Sequence, residues 1–339
     1  MTPYELLLDA LFDPDRVVGA DAARLLGGLG RREAAPALVR YVTECRYHAK
    51  VAAFEALARI GDASVCPAIR PRVDDPHVYD DWYWYGAKTV RAAAATALLA
   101  LGDDSGAAYL TELADKHDDA LYAWMAPAVL ALGDTTPATA AIKARLSVQS
   151  LTGANERSVR LSDPGRLTRV VEALGLIGGD EAARAIAGWL GFRSRYVRAQ
   201  AAVSLLAASS SQENIEAVAA LRDRDGTDFV RIRATQALIG AGAADDASPL
   251  LDGAVHGTDA VDRGAALEAL GLLGRADGIE TALAALDDGS PYVRLCAIEA
   301  LDRLDAGGDA VARRMEDPSP RVRLQAAAYL AARDGEVNR

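Results

Sequence analysis

The stretch "TVRAAAATALLALG", Thr89 to Gly102, decides the fold of this chain. Val90, Ala94, Ala97, Leu98 and Leu101 stand at offsets 0, +4, +7, +8 and +11, so they share one face of a helix. The closing Leu-Gly supplies a residue suited to the left-handed end of that helix. The arrangement recurs in "FVRIRATQALIGAG" from Phe229, "YVRLCAIEALDRL" from Tyr292 and "RVRLQAAAYLAA" from Arg321. Aligned on the first apolar slot, the copies begin at Val18, Ala49, Val90, Leu121, Arg166, Val197, Val230, Asp262, Val293 and Val322. Successive spacings are 31, 41, 31, 45, 31, 33, 32, 31 and 29, so a base period of about 31 runs the full chain. Two insertions break it, of about 10 residues before Val90 and about 14 before Arg166.

Between copies lies a second helical pattern, as in "REAAPALVRYV" (Arg32 to Val42) and "GIETALAALD" (Gly278 to Asp287). Each period is therefore a pair of antiparallel helices. The turn inside a pair often carries Asp-Pro or Ser-Pro, as at Asp13, Asp288 and Glu316, where Ser or Asp would cap the second helix with Pro in its first turn. Left-handed caps are expected at Gly30, Gly61, Gly102, Gly133, Gly178 and Gly274. All-α architecture follows: an α-solenoid superhelix of about ten pairs over residues 1–339, a single array with loop insertions at about 74–88 and 149–165.

This "D…VR..A..AL..LG" pattern resembles HEAT-like repeats, particularly the short kind of phycobilisome lyases and many bacterial proteins. The resemblance implies that the Val-Arg helices line a concave face and that a turn Asp pairs with a motif Arg. The matching positions are Arg91, Arg198, Arg231, Arg263, Arg294 and Arg323, with Lys50 substituting, and Asp13, Asp225, Asp288 and Asp317. The copies near Tyr122 and Leu167 lack the Arg, so the ladder is expected to break in mid-array.

Composition narrows the function classes. A net charge of −11, with only four lysines (Lys50, Lys88, Lys116, Lys143), argues against nucleic acid, whose phosphates demand a basic surface. That also sets the chain apart from HEAT-like DNA glycosylases. None of His48, His77, His117 and His256 precedes a Glu, unlike the His-Glu pairs of the di-iron HEAT-repeat hydroxylases. Phosphate loops, nucleophile elbows and paired catalytic carboxylates are absent from the sequence. Cys45, His48 and Cys66 have a spacing from which a metal site can be imagined, but buried thiols and a surface imidazole are the simpler reading, so no metal and no cofactor is expected. Three cysteines without framework spacing point to a reducing compartment. The opening "MTPYELLLDALFDPDR" is acidic where a signal peptide is basic, and no run of ~20 apolar residues occurs, so a cytoplasmic protein without membrane contact is expected.

The candidate site lies at the insertions. "VYDDWYWYGAK" (Val78 to Lys88) concentrates Tyr79, Trp82, Tyr83, Trp84 and Tyr85 in a chain that is 6% aromatic. The second insertion carries Arg157, Arg160 and Arg169. Between them stands "LYAWMAPAVLALG" from Leu121, with Trp124 and Pro127 expected near the concave surface and Pro127 able to kink the helix. Loops on a rigid scaffold are where recognition usually resides. The expected function is a non-catalytic scaffold that binds a protein or peptide partner through these residues. Its alternative is a lyase-like enzyme or chaperone holding a small organic ligand in an aromatic and Arg-lined groove.

Overall fold

The computed structural model describes residues 1–44, 49–74, 87–116, 118, 120–134, 136–157, 163–243, 248–274 and 277–337. Every regular element among them is helical. They fall into two compact units, Met1–Val159 with Ala331–Arg339, and Arg160–Leu330.

The period read from the sequence is present as a long helix in every copy but the one from Leu121. In the first unit Arg16–Leu29, Ala49–Ile60 and Ala87–Ala100 stack in order; in the second, Pro164–Ile177, Arg195–Ala208, Asp228–Gly240, Ala260–Leu273 and Pro291–Arg303 do so. The intervening helices, such as Ala35–Glu44, Gln212–Arg224 and Ser248–Val255, pair with them. The +4 slots hold the stack together: Ala22, Ala53, Ala94, Ala201, Ala234, Ala266, Ala297 and Ala326 are all fully buried. The +8 leucines Leu26, Leu98, Leu205 and Leu301 are buried beside their neighbours. Small residues at +4 let helices approach closely, and leucines at +8 fill the remaining space.

One packing rule is not visible in the spacing of apolar residues. Gly27, Gly175 and Gly271, each at offset +9, face Ala56, Ser204 and Ala300, each at +7 of the next long helix. A Cβ on Gly27 would stand 2.6 Å from the Ala56 Cα, closer than real packing allows. Gly27→Ala is therefore expected to lower stability by about 1–3 kcal/mol, although Ala is the better helix former by ~1 kcal/mol. Gly28→Ala is its control, because a Cβ there meets nothing within 4 Å. Urea denaturation of the pair checks this; equal midpoints would show that the helices do not cross at Gly27.

The turns differ from the expected capping. Ser290 makes no side-chain cap; instead Asp288, two residues earlier, accepts from the Ser290 amide at 2.7 Å. Asp317 does the same for Ser319 at 2.9 Å, Asp225 for Thr227 at 2.9 Å and Asp13 for Asp15 at 2.7 Å. A carboxylate fits this place because it can serve a second donor at once. Arg198 Nε and Nη2 reach Asp225 at 2.7 and 3.1 Å, Arg263 reaches Asp288 at 2.9 and 2.9 Å, and Arg294 reaches Asp317 at 2.8 and 2.7 Å. The Nη1 of each Arg donates to carbonyls of the turn before its own helix, as Arg294 does to Asp288 at 2.9 Å. Each rung thus ties two turns and two helices together with bidentate, charge-assisted bonds.

Several expectations are corrected. Arg231 has no rung: Gly257 stands where the Asp of the next turn belongs, and Arg231 turns to Asp228 at 2.8 Å and to the Arg222 carbonyl. Arg91 likewise donates to the Val73 carbonyl at 2.5 Å and covers the Tyr109 ring. Gly30 has the left-handed cap (φ 64°, ψ 14°), whereas Gly178 combines φ 74° with ψ 177°, a positive-φ conformation outside the left-handed helical region. The helix expected from Leu121 is split into a π-helical Ala120–Met125 and a short α-helix Ala126–Leu130. Pro127 is the cause, since it lacks an amide and its ring would strike the carbonyl four residues back, and the wider turn relieves both. Pro127 is buried, not on a surface. The second insertion is not a loop at its start, because Val148–Arg157 is a helix.

Candidate functional site

The aromatic residues Tyr79, Trp82, Tyr83, Trp84 and Tyr85 lie outside the described residues, as do Arg160, Cys45 and His48. Arg157 ends the Val148–Arg157 helix, and its side chain is outside the described part. Trp124 is half-buried in the π-helical turn of the first unit. Arg169 belongs to the second unit and pairs with Glu172, one turn away, at 3.3 Å. Among the described residues no group of three or more His, Cys, Asp and Glu could hold a metal, and no helix is long and apolar enough to cross a membrane.

A different candidate surface stands within the second unit. The long helices bury offsets +4 and +8 against their neighbours, which leaves +10 on an open face and +6 at its edge, exposed at Val203 but buried at Thr96 and Gln236. Charged or small residues fill these offsets in most copies. In this unit they include Leu176, Val203 and Leu272, which are 49%, 37% and 51% exposed. Val203, Leu206, Ala207, Gly240, Ala241 and Leu272 line a groove of about 410 Å³ that crosses three successive helices. The +10 positions along it run Ala207, Gly240, Leu272, so two small residues make a notch beside a leucine.

One flank of the groove is polar and held in place. Arg233 Nη1 donates to Glu268 at 3.0 Å and to Gln236 Oε1 at 2.8 Å, and Gln236 Nε2 reaches the Ala265 carbonyl at 3.3 Å. Phe229 backs the guanidinium, its ring centre 5.8 Å from Cζ. Beyond Glu268, on the next helix, stands Glu299. Burial pushes its carboxyl up; Arg303 opposes this and Glu268 adds to it. Cys296, nearby, is 5% exposed and burial pushes its thiol up to about 12, so it is no nucleophile at neutral pH. Burial also raises Tyr292 and Cys66. The chemistry available in this groove is apolar contact and fixed polar contact, without an activated acid, base or nucleophile among its lining residues.

Sequence reading missed the groove because each apolar residue in it looks like ordinary helix composition. The available signal was the offset: leucine or valine at +6 or +10 in three copies of one half of the chain.

Helix pairs recurring every 31 residues or so, tied by Asp–Arg rungs, define an α-solenoid repeat protein. Residues 4–81 and 247–313 match HEAT repeats. No curated protein matches the sequence. Among solved structures it is similar to an engineered protein at 17% identity, covering 98% of this chain and 99% of that one, with a TM-score of 0.33. Human deoxyhypusine hydroxylase in complex with glycerol is 18% identical over 89% of this chain and 96% of that one, with a TM-score of 0.31. The complex of CpcE and CpcF of phycocyanin lyase from Nostoc sp. PCC7120 is 21% identical over 97% and 94%, with a TM-score of 0.31. None of these similarities carries an activity over to this chain.

Proposed function

We propose that this protein is a non-catalytic scaffold of a reducing cytoplasm, which binds a protein or peptide partner on the open face of its long helices. The observation that supports this reading is the groove across Val203, Gly240 and Leu272, where apolar side chains stand exposed beside an ordered Arg233–Glu268 pair. Exposed apolar surface beside fixed polar groups is the usual composition of a recognition surface. Cys66 and Cys296, both buried free thiols, fit the reducing compartment. The aromatic stretch Tyr79 to Tyr85, with Trp124, Arg157, Arg160 and Arg169, is proposed as further contact surface on the strength of the sequence alone.

Native mass spectrometry of the protein taken gently from its source tests this reading. A bound polypeptide that is lost from Val203→Asp/Leu272→Asp, in a variant with unchanged melting, is the expected result. A stoichiometric small organic molecule instead would overturn the scaffold reading in favour of a ligand-holding enzyme or chaperone. Trp82→Ala/Trp84→Ala in the same experiment reports whether the aromatic stretch contributes.

A further inference from the structure

One residue breaks the pattern of its slot. The first apolar slot of the long helices holds Val18, Val90, Val197, Val230, Val293 and Val322 in six copies, all buried. In the helix Ala260–Leu273 the same slot holds Asp262. Its Oδ1 is closed off from solvent and has no hydrogen-bond partner. A place three residues after the cap ordinarily suits a carboxylate, because free amides of the first turn lie within reach. Here the cap Asp259 has taken them, accepting from the Val261 amide at 2.8 Å and from the Asp262 amide. Asp262 instead faces two carboxylates, Asp259 from its own turn and Asp228 from the preceding long helix. Arg195 also faces it, but is bound to Asp259 at 3.2 Å. Arg231 is held by Asp228 and Arg263 by Asp288. The remaining donor is the Phe229 amide. Around this turn the packing is otherwise apolar, with Val230, Leu251, Ala254, Ala265 and Ala266 in one buried cluster. The next long helix brings the Tyr292 ring against Gly264, its phenol kept neutral by burial.

We propose that Asp262 is a proton-operated joint between the helices Asp228–Gly240 and Ala260–Leu273, whose contact its carboxylate keeps loosened at neutral pH and a bound proton tightens. This goes beyond the scaffold reading and does not depend on it. Protonation removes a charge that burial disfavours and that Asp259 and Asp228 repel, and it gives the carboxyl a hydrogen to donate. Burial first, then Asp259 and Asp228, push the Asp262 carboxyl up against the opposing pull of Arg195 and the Phe229 amide. A carboxyl whose folded value lies above its unfolded value of about 3.9 is a cost at neutral pH, and that cost fades as pH falls through the folded value. Asp262 thus acts in the opposite sense to Asp225, Asp288 and Asp317, which are lowered by their arginines and stabilise the fold when charged. Through Asp262 the second unit gains stability in mild acid, before those pairs begin to fail.

Asp262→Asn, which keeps the shape and removes the charge, tests this in the full chain. At pH 7 its urea midpoint should lie above that of wild type, and the gap should narrow by about pH 4. Asp262→Val, which restores the residue of the sister copies, should raise the midpoint in the same way and serves if Asn disturbs the turn. Burial also raises the Glu299 carboxyl, so the difference between variant and wild type, rather than the wild-type profile, isolates Asp262. Carboxyl NMR of the wild type should show Asp262 titrating above the ordinary Asp value of about 3.9, and Asp228→Asn should move that titration down, since one repelling charge is gone. Hydrogen exchange at pH 7 should slow in Asp228–Gly240 and Ala260–Leu273 of Asp262→Asn, with Arg16–Leu29 of the first unit unchanged. Midpoints of both Asp262 variants at or below wild type at pH 7, a gap that stays constant to pH 4, or an Asp262 that titrates at or below the ordinary value would each overturn the inference. The scaffold reading is judged separately, by whether Val203→Asp/Leu272→Asp loses a polypeptide partner.

Discussion

Asp317→Ala is expected to lower the stability of the protein by about 3–5 kcal/mol, the scale of removing one partner from a buried ion pair. Arg294 and Asp317 are 8% and 5% exposed, so the guanidinium left behind keeps its charge without regaining water. The Ser319 amide loses its acceptor in the same change. Asp228→Ala is the contrast: its pair with Arg231 is open to solvent and worth at most about 1 kcal/mol. The rungs also make a prediction about acid. Burial alone would raise the Asp317 carboxyl, but the bonds from Arg294 and the Ser319 amide outweigh it and hold the group below the usual range. Asp225 is lowered in the same way through Arg198 and Thr227, and Asp288 chiefly through Arg263. A carboxylate with a depressed folded pKa adds stability above its unfolded value of about 3.9, and that stability fades as pH falls toward the folded value. The difference between wild type and Asp317→Ala should therefore be full at pH 7 and shrink below about pH 4. Urea midpoints at the two pH values measure it, and a gap that does not narrow in acid would mean that the rung is not held as a charged pair.

Overpacking the stack should be nearly as damaging. Ala234 and Ala297 are fully buried +4 residues, and Ala297 lies in a cluster with Leu267, Leu286, Val293, Val322 and Ala326. Phe at either position has no space to enter, and the neighbouring long helix must move. Small-to-large changes of this kind cost about 1–3 kcal/mol, and sometimes more. In a repeat array the strain falls on one interface between copies, so each variant should broaden the melting transition as well as lower it. Unchanged melting in both Ala234→Phe and Ala297→Phe would contradict the register of the whole alignment.

The sequence carried the period, the pairing of helices and the buried slots, because those depend on local apolar spacing that any helix must obey. The rungs were half legible. Asp225, Asp288 and Asp317 stand at a fixed place before their helices, but Arg231 shows that an Arg in the motif does nothing of the kind without its Asp in the next turn. The crossing of Gly27 with Ala56 was illegible, since it joins two copies and each residue alone reads as helix filler. Pro127 announced a distortion, yet not that it would widen the turn from Ala120 to Met125 and bury the ring. The groove was hidden for the reason the glycines were: Val203, Gly240 and Leu272 are far apart in sequence and meet only when the long helices stack.

Hydrogen exchange of the protein with and without its captured polypeptide partner tests the central claim most directly. The scaffold account predicts that the partner slows exchange along Arg195–Ala208, Asp228–Gly240 and Ala260–Leu273, the three helices that share the groove. Slowing confined to the intervening helices Gln212–Arg224 and Ser248–Val255, with those three unchanged, would contradict it.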